Sequence, residues 1–267
     1  MPKFLEEAET SAIRIKVVGV GNAGGNIVTR ISESVEDVDF IVFNTDGQAL
    51  RYCKADYKIQ IGERTTLGRG TGRDPEKGKF AANEDKDKIA DVLKGANIVF
   101  LSAGLGGGTG TGSSPVVAKI AKDGGAIVIA LVTTPFNFEG QRKAEQAKSG
   151  LETLERNVDM LIHIPNEKLA QSVDAQVSML EAFKKVDEIV SRTVSSIADL
   201  INKPKVLLDI DFADICTIVE KAGRGLVGLG HGKGEDRMKN AAKGAIEDPL
   251  FEKTDGMEAS HILISIT

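Results

Sequence analysis

Tryptophan is absent from this chain of 267 residues, and the aromatic share is only 4%. A core of the size that such a length allows then rests on Val, Ile, Leu and Ala, which suits a parallel sheet buried on both faces. Cysteine is almost missing as well. Cys53 and Cys216 stand alone without a CxxC pair, so neither a disulfide framework nor a zinc site is indicated, and a reducing, cytoplasmic setting is expected. The three histidines, His163, His231 and His261, are scattered without metal-ligand spacing and read as structural or exposed, so no protein metal site is expected. There is no excess of basic charge: a formal net charge of -5 argues against nucleic-acid binding through bulk basicity. No apolar stretch reaches the roughly 18 residues that a membrane span needs. Met1 to Ser11 is acidic and polar, unlike a signal peptide.

Glycine is what the chain does have. From Leu101 to Gly112 it reads Leu-Ser-Ala-Gly-Leu-Gly-Gly-Gly-Thr-Gly-Thr-Gly, after the apolar run Ala96 to Phe100. A backbone with so few Cβ atoms can turn its N–H groups around an anion, and the Thr109 and Thr111 hydroxyls add donors. Ser113-Ser114-Pro115 supplies cap-type residues and a proline suited to a first helical turn, with Val116 to Ala121 continuing at helical spacing. Strand, glycine loop and helix N-terminus come in the order that a phosphate site requires. A flexible linker of like composition would not sit between a buried strand and a capped helix.

A second loop lies nearer the N-terminus. Ile13 to Val20 alternates and then runs apolar as a first strand, and Gly19-Val20-Gly21-Asn22-Ala23-Gly24-Gly25-Asn26 matches G-x-G-x-x-G before a helix through Ile27, Val28 and Ile31. Asp46, after the strand Val38 to Phe43, stands at about the interval expected of a ribose-binding acid. Gly62 to Gly78 is rich in glycine and charge and reads as a long surface loop, in which Arg69 and Arg73 either reach phosphate or stay solvated. A helix over Ala81 to Leu93, the strand Ala96 to Leu101, the strand Ala126 to Val132, a charged helix over Gln141 to Arg156, a strand Asp159 to Ile164 and a turn at Pro165 to Leu169 follow. This alternation predicts an α/β fold with a right-handed, doubly wound, mostly parallel sheet.

From Val177 to Ile201 apolar residues recur every three or four positions: Leu180, Phe183, Val186, Val190, Val194, Ile197 and Ile201. About 24 residues of helix span roughly 36 Å, enough to cross a domain. The chain therefore divides into a main domain over residues 1-176, a long central helix over 177-204 and a partial second α+β domain over 205-267, with the boundary near Pro204. That last part holds a helix from Ile215 to Ala222, a strand Leu226 to Leu229, a helix Asp236 to Ile246 and a final strand Ser260 to Thr267. Within it, Asp209, Asp211 and Asp214 lie in six residues. Asp211 and Asp214 either cap the helix that begins there or join Asp209 in a carboxylate cluster that orients water or Mg²⁺.

Five segments in order carry a resemblance: Gly19 to Asn26, Asn44-Thr45-Asp46, Gly106-Gly107-Gly108-Thr109-Gly110-Thr111-Gly112, Pro135-Phe136-Asn137-Phe138-Glu139-Gly140 and Asp211-Phe212-Ala213-Asp214. In these the chain resembles the tubulin/FtsZ family of filament-forming GTPases, over nearly its whole length. The resemblance implies GTP or GDP with Mg²⁺, head-to-tail assembly of the chain with itself, and hydrolysis at the junction between subunits. It further implies a cytoplasmic protein of cell division, working at the division site with adaptor proteins, without nucleic acid and without direct membrane insertion. Residue by residue, it assigns Gly21, Asn22, Ala23, Gly24 and Gly25 together with Gly106, Gly107, Gly108, Thr109 and Gly110 to the phosphates, and Gly70, Thr71 and Gly72 to the γ-phosphate. Asn44, Thr45, Thr133, Pro135, Glu139, Arg142 and Lys143 would surround ribose and phosphates. Phe183 would lie against guanine, with Asn26, Asn166 and Asp187 bonding its edge. A carboxylate suits guanine's two adjacent donors and would face a mismatched edge in adenine. Asp211, Asp214 and Asp209 would be the catalytic carboxylates.

The chain departs from the family at three points. Asp209 stands where asparagine is usual, Lys143 where arginine is usual, and the second domain is shorter, as in a fragment or a short form whose sheet keeps an unpaired edge. Two other functions compete with a filament-forming GTPase. One is a GTP-binding regulator that neither hydrolyses nor assembles. The other is an NAD-dependent oxidoreductase built on the first glycine loop, for which no catalytic His or Tyr constellation is evident.

Overall fold

A computed structural model describes residues 13–33, 35–171, 181, 183–184, 190–196, 198, 212–220, 222–228, 230–246 and 259–264. The chain runs β1 (Ile15–Val20), α1 (Gly21–Ile31), β2 (Asp39–Asn44), α2 (Gly47–Tyr52), β3 (Tyr57–Gln60), α3 (Glu63–Thr66), α4 (Pro75–Glu84), α5 (Lys86–Leu93), β4 (Ile98–Gly104), α6 (Thr109–Asp123) and β5 (Ile127–Thr134). A 3-10 turn (Asn137–Glu139) leads to α7 (Gln141–Glu155), β6 (Met160–Pro165) and α8 (Asn166–Gln171). Later come α9 (Phe212–Val219), β7 (Gly223–Gly225) and α10 (Arg237–Ile246).

The seven strands form one sheet in the order β3-β2-β1-β4-β5-β6-β7, every pair parallel. Alternate residues of each strand face opposite sides. Val17, Phe40, Val42, Phe100, Ile129 and Ile162 pack with α1 and α9 on one face, while Val18, Ile41, Phe43, Val99, Leu101 and Val128 pack with α4 to α7 on the other. The α/β layering expected from the sequence is thus present, with both faces covered. Most of the 177–204 stretch lies outside the described residues. Where described it is helical, and Val190, Val194 and Ala198 are buried against the sheet at a spacing of four. A fully buried valine contributes about 1.5 kcal/mol or more, so this helix is anchored to the first core.

The boundary near Pro204 is likewise outside the described residues, but the chain beyond it joins the main sheet. Ile215 and Val219 of α9 are buried in the same core as β1 and β4, and Gly223–Gly225 pairs with Met160 to Ile162. The strand read at Leu226 to Leu229 is therefore corrected to Gly223–Gly225. Its position is fixed by a remote partner: Arg224 donates to both carboxylate oxygens of Glu155 on α7, at 2.9 and 3.1 Å. The described residues 261–264 belong to no strand.

Other boundaries shift for local reasons. The 62–78 loop contains α3, whose amides at Arg64 and Thr65 are taken by the Glu84 carboxylate, and the first residues of α4, capped by Asp74. The helix read over Ala81 to Leu93 is two helices interrupted at Asp85, whose carboxylate accepts from the Gly62 amide at 2.7 Å and pairs with Lys88. The turn after Pro165 is α8. Both glycine-rich segments become helical earlier than their propensity suggests, α1 at Gly21 and α6 at Thr109, which leaves Pro115 inside α6 rather than in its first turn. Among the described residues no helix is long and apolar enough to cross a membrane.

Candidate functional site

In a sheet with this strand order the direction of winding reverses between β1 and β4, and the crevice at the carboxyl ends of those strands is where such folds take ligands. Both glycine segments are there. Val20 closes β1 and Gly21 begins α1 with no intervening loop; Gly104 closes β4 and only Leu105 to Gly108 separate it from α6. The two helix starts nearly touch. A Cβ on Gly21, whose φ is +73°, would lie 3.1 Å from the Gly110 nitrogen, and one on Gly24 would lie 2.3 Å from the Ser102 carbonyl oxygen. Only a glycine lets α1 settle so close to β4.

Two helix N-termini facing one crevice carry amides with no intrahelical acceptor and the positive ends of two macrodipoles. In α6 the Gly112 N–H bonds the Gly108 carbonyl, so the amides of Thr109, Gly110 and Thr111 precede the first helical bond. Gly107 has a distinct surrounding. Among the described residues a Cβ there would meet no atom beyond its chain neighbours within 4 Å, whereas one on Gly108 would meet the Thr71 hydroxyl at 1.9 Å. The open space at Gly107, beside amides that precede the first helical bond, has the character of an anion cradle.

Side chains tie neighbouring elements to this cradle. Asn44, buried at the end of β2, donates to the Asn22 side-chain oxygen at 2.7 Å. The Thr45 and Thr109 hydroxyls are 2.7 Å apart, and the Thr45 carbonyl accepts from the Gly70 amide at 3.2 Å. The segment Gly70, Thr71 and Gly72 is thereby held beside α6, with Thr71 buried against Gly108. Asp46 has another job than the ribose contact its spacing suggested: its carboxylate caps α2 by accepting from the amides of Gln48 and Ala49. A single antiparallel backbone pairing sets Arg69 beside Asp46, and the Arg69 side chain is exposed, as is Arg73.

A third wall follows β5. Thr133 is buried and its carbonyl accepts from the Leu105 amide at 2.8 Å, while the Pro135 ring lies 3.3 Å from where a Gly106 Cβ would be. Glu139 accepts from the Phe136 amide at 3.0 Å and from Lys143 Nζ at 2.5 Å, so the lysine charge is already paired; Arg142 is exposed. Phe136 stacks on Phe138 and meets Phe183 edge to face, each at a centroid distance of 5.0 Å. Phe183 thus joins the helical residues around it to this wall while remaining 37% exposed. Asn166 is 5% exposed and its Oδ1 has no hydrogen-bond partner among the described residues. Such an orphaned acceptor calls for a ligand or water. Ala23, Gly25 and the exposed Asn26 lie in the first turns of α1. Thr111, read from the sequence as a further hydroxyl donor to the anion, instead has its hydroxyl oxygen engaged inside the loop, where it accepts from the Gly106 amide at 2.8 Å.

Asp209, Asp211 and Asp187 lie outside the described residues. Asp214 is exposed in the first turn of α9, and no hydrogen bond or ion pair among the described residues links it to the glycine segments. The short α9 leads into β7 where the Gly223 amide bonds the Asp159 carbonyl, at the amino end of β6. The cradle is at the carboxyl ends of the strands, so the chain that follows α9 returns to the opposite end of the sheet. No cluster of three or more His, Cys, Asp or Glu among the described residues could hold a metal ion. A groove of about 560 Å³ between α3 and the α4–α5 junction is a poorer candidate, because Glu84 and Asp85 within it are engaged by α3 amides and by Lys88.

The profile of the tubulin/FtsZ family GTPase domain matches residues 14–174. An empty FtsZ dimer from M. jannaschii is 41% identical with a TM-score of 0.86, over 91% of this chain and 70% of that one. A single-substitution FtsZ variant from the same organism is also 41% identical, with a TM-score of 0.85 over 90% of this chain and 72% of the other. A GTPγS-bound protofilament of CetZ2 from Haloferax volcanii is 26% identical, TM-score 0.71, over 81% and 66%.

Proposed function

This chain belongs to the tubulin/FtsZ family, whose matching domain is a GTPase domain, and from that premise we propose that it binds and hydrolyses GTP while assembling head to tail into filaments. The observation that carries the reading is the convergence of the α1 and α6 N-termini on the open space at Gly107. Phosphates there would accept from the amides of Gly21, Gly107, Thr109 and Gly110, with the Thr109 hydroxyl oriented by Thr45. The Gly70 to Gly72 segment would close on the γ-phosphate, and Glu139 with Lys143 would flank the ribose. Phe183, Asn26, Asn166 and Asp187 would receive guanine, and the orphaned Asn166 Oδ1 supports a donor arriving from the ligand.

Hydrolysis needs a group that orients water in line with the γ-phosphate, and the described cradle supplies donors rather than a base. Asp214 is exposed and no hydrogen bond or ion pair among the described residues ties it to the cradle, which supports its use on the next subunit: a contact that repeats without closing would bring Asp214, with Asp211 and Asp209, onto a neighbour's nucleotide. Mg²⁺ bound to the phosphates would offset the charge that develops there, and the protein's part is to position the nucleotide and water. The dimer and protofilament relatives support self-association. The FtsZ likeness also supports work in cell division, in the cytoplasm at the division site with adaptor proteins.

Titration calorimetry with GDP and ADP side by side tests the ligand. Submicromolar GDP binding with ADP weaker by about a hundredfold or more is expected from an edge-reading pocket. Equal affinities would contradict it.

A further inference from the structure

We propose that Thr111 is the positioning residue of the phosphate loop, acting through the backbone amide of Gly106; this rests on the nucleotide site proposed above. Thr111 is 5% exposed and lies in the first turn of α6. Its hydroxyl oxygen accepts from the Gly106 N–H at 2.8 Å, reaching back across the whole loop to its first glycine. Gly106 sits at φ +98°, a conformation that costs other residues energy and that glycine itself does not prefer strongly enough to hold alone. The loop's other ties lie to either side of this amide: the Leu105 amide bonds Thr133, Gly108 packs on Thr71, the Thr109 hydroxyl meets Thr45, and Gly112 begins the helical ladder. Gly107, between them, borders open space. One hydroxyl therefore selects the turn that leaves the following amides free for phosphate, and it uses the Gly106 amide internally instead of offering it to the ligand.

The other branch of the side chain has a separate contact. Cγ2 of Thr111 lies 2.5 Å from where a Cβ on Gly150 would be, so the methyl is seated on α7 at its glycine. Hydroxyl and methyl can thus be tested apart. Thr111→Val keeps the branched shape and the methyl but removes the acceptor, leaving a buried N–H unpaired. Thr111→Ser keeps the acceptor and removes the methyl.

The experiment measures GDP affinity by calorimetry and Gly106 amide exchange by NMR, in the unaltered chain and both variants. The expected result is that Thr111→Ser binds within about threefold of the unaltered chain, while Thr111→Val binds about tenfold or more weakly. Gly106 should exchange slowly in the unaltered chain and in Thr111→Ser, and fast in Thr111→Val. A purely packing role reverses the order, with valine equivalent to threonine and serine the weaker, and that would overturn the proposal. So would an unprotected Gly106 amide in the serine variant, which decides the matter even if the valine variant folds poorly. Absence of GDP binding by the unaltered chain would overturn the nucleotide site as well, whereas equal binding by Thr111→Val would overturn this inference alone.

Discussion

The hydroxyls of Thr45 and Thr109 lie 2.7 Å apart, joining the end of β2 to the first residue of α6. Because the Thr45 carbonyl also holds the Gly70 amide, one residue links the loop assigned to the γ-phosphate with the helix assigned to the other phosphates. The site is therefore a set of converging backbone ends, and changes in it should separate cleanly into those that break the protein and those that only exclude the ligand.

Gly107 and Gly108 illustrate the separation. A Cβ on Gly107 meets nothing within 4 Å, so Gly107→Ala should fold with an unchanged melting temperature and lose GDP binding. Gly108→Ala puts a Cβ 1.9 Å from the Thr71 hydroxyl and should lose about 1–3 kcal/mol of stability. Thermal melts with and without GDP distinguish the two, and a Gly107→Ala protein with full GDP affinity would show that the open space is not the phosphate site.

Asn166 gives a second test. Its buried Oδ1 makes no hydrogen bond among the described residues, so removing it costs the empty protein little while removing a partner from the bound nucleotide. At a hundredfold excess over the dissociation constant a ligand stabilises by about 2.7 kcal/mol. Asn166→Ala should retain its melting temperature without GDP and show a clearly smaller rise at the same GDP concentration. An undiminished rise would remove Asn166 from the site.

Glu155 and Arg224 predict a pH dependence. The Arg224 hydrogen bonds, with its charge, hold the Glu155 carboxyl below its ordinary value of 4.5. A depressed carboxyl contributes stability that is present above the unfolded value and lost as pH falls through the folded one. The pair is partly exposed, so its contribution should be at most about 1 kcal/mol. Glu155→Gln should melt slightly below the unaltered chain at pH 7, with the gap closing below pH 4.5. A gap that persists in acid would point to packing rather than charge.

The sheet was legible where long apolar runs end in glycine, as at Val17 to Gly19 and Val99 to Gly104, because burial on both faces leaves an unmistakable pattern. The short elements α2, α3 and β7 were not legible. The first depends on one capping carboxylate, the second on Glu84 some twenty residues away, and the third on pairing with β6 and on Glu155. The start of α6 was misread because Thr-Gly-Thr-Gly has poor helix propensity. Tertiary contact overrides it: the Ser113 hydroxyl bonds the Gly78 carbonyl, and Gly112 lies so close to Pro75 that no side chain fits. In the site, the glycines and Asn44 and Thr45 carry signals in their spacing. Thr111 carries a signal in its place among the glycines, but not its role, which shows only once its hydroxyl is seen to accept from Gly106.

The proposed hydrolysis between subunits rests on an exposed Asp214 that no bond among the described residues ties to the phosphate cradle, and mixing two inactive variants tests it most directly. Asp214→Ala should bind GTP and not turn it over; Gly107→Ala should bind none. In a mixture, the first supplies an intact pocket and the second an intact Asp214, so the account predicts that GTP turnover reappears and rises with total protein concentration. No gain on mixing, or an Asp214→Ala protein that hydrolyses GTP at the unaltered rate independent of concentration, would contradict it.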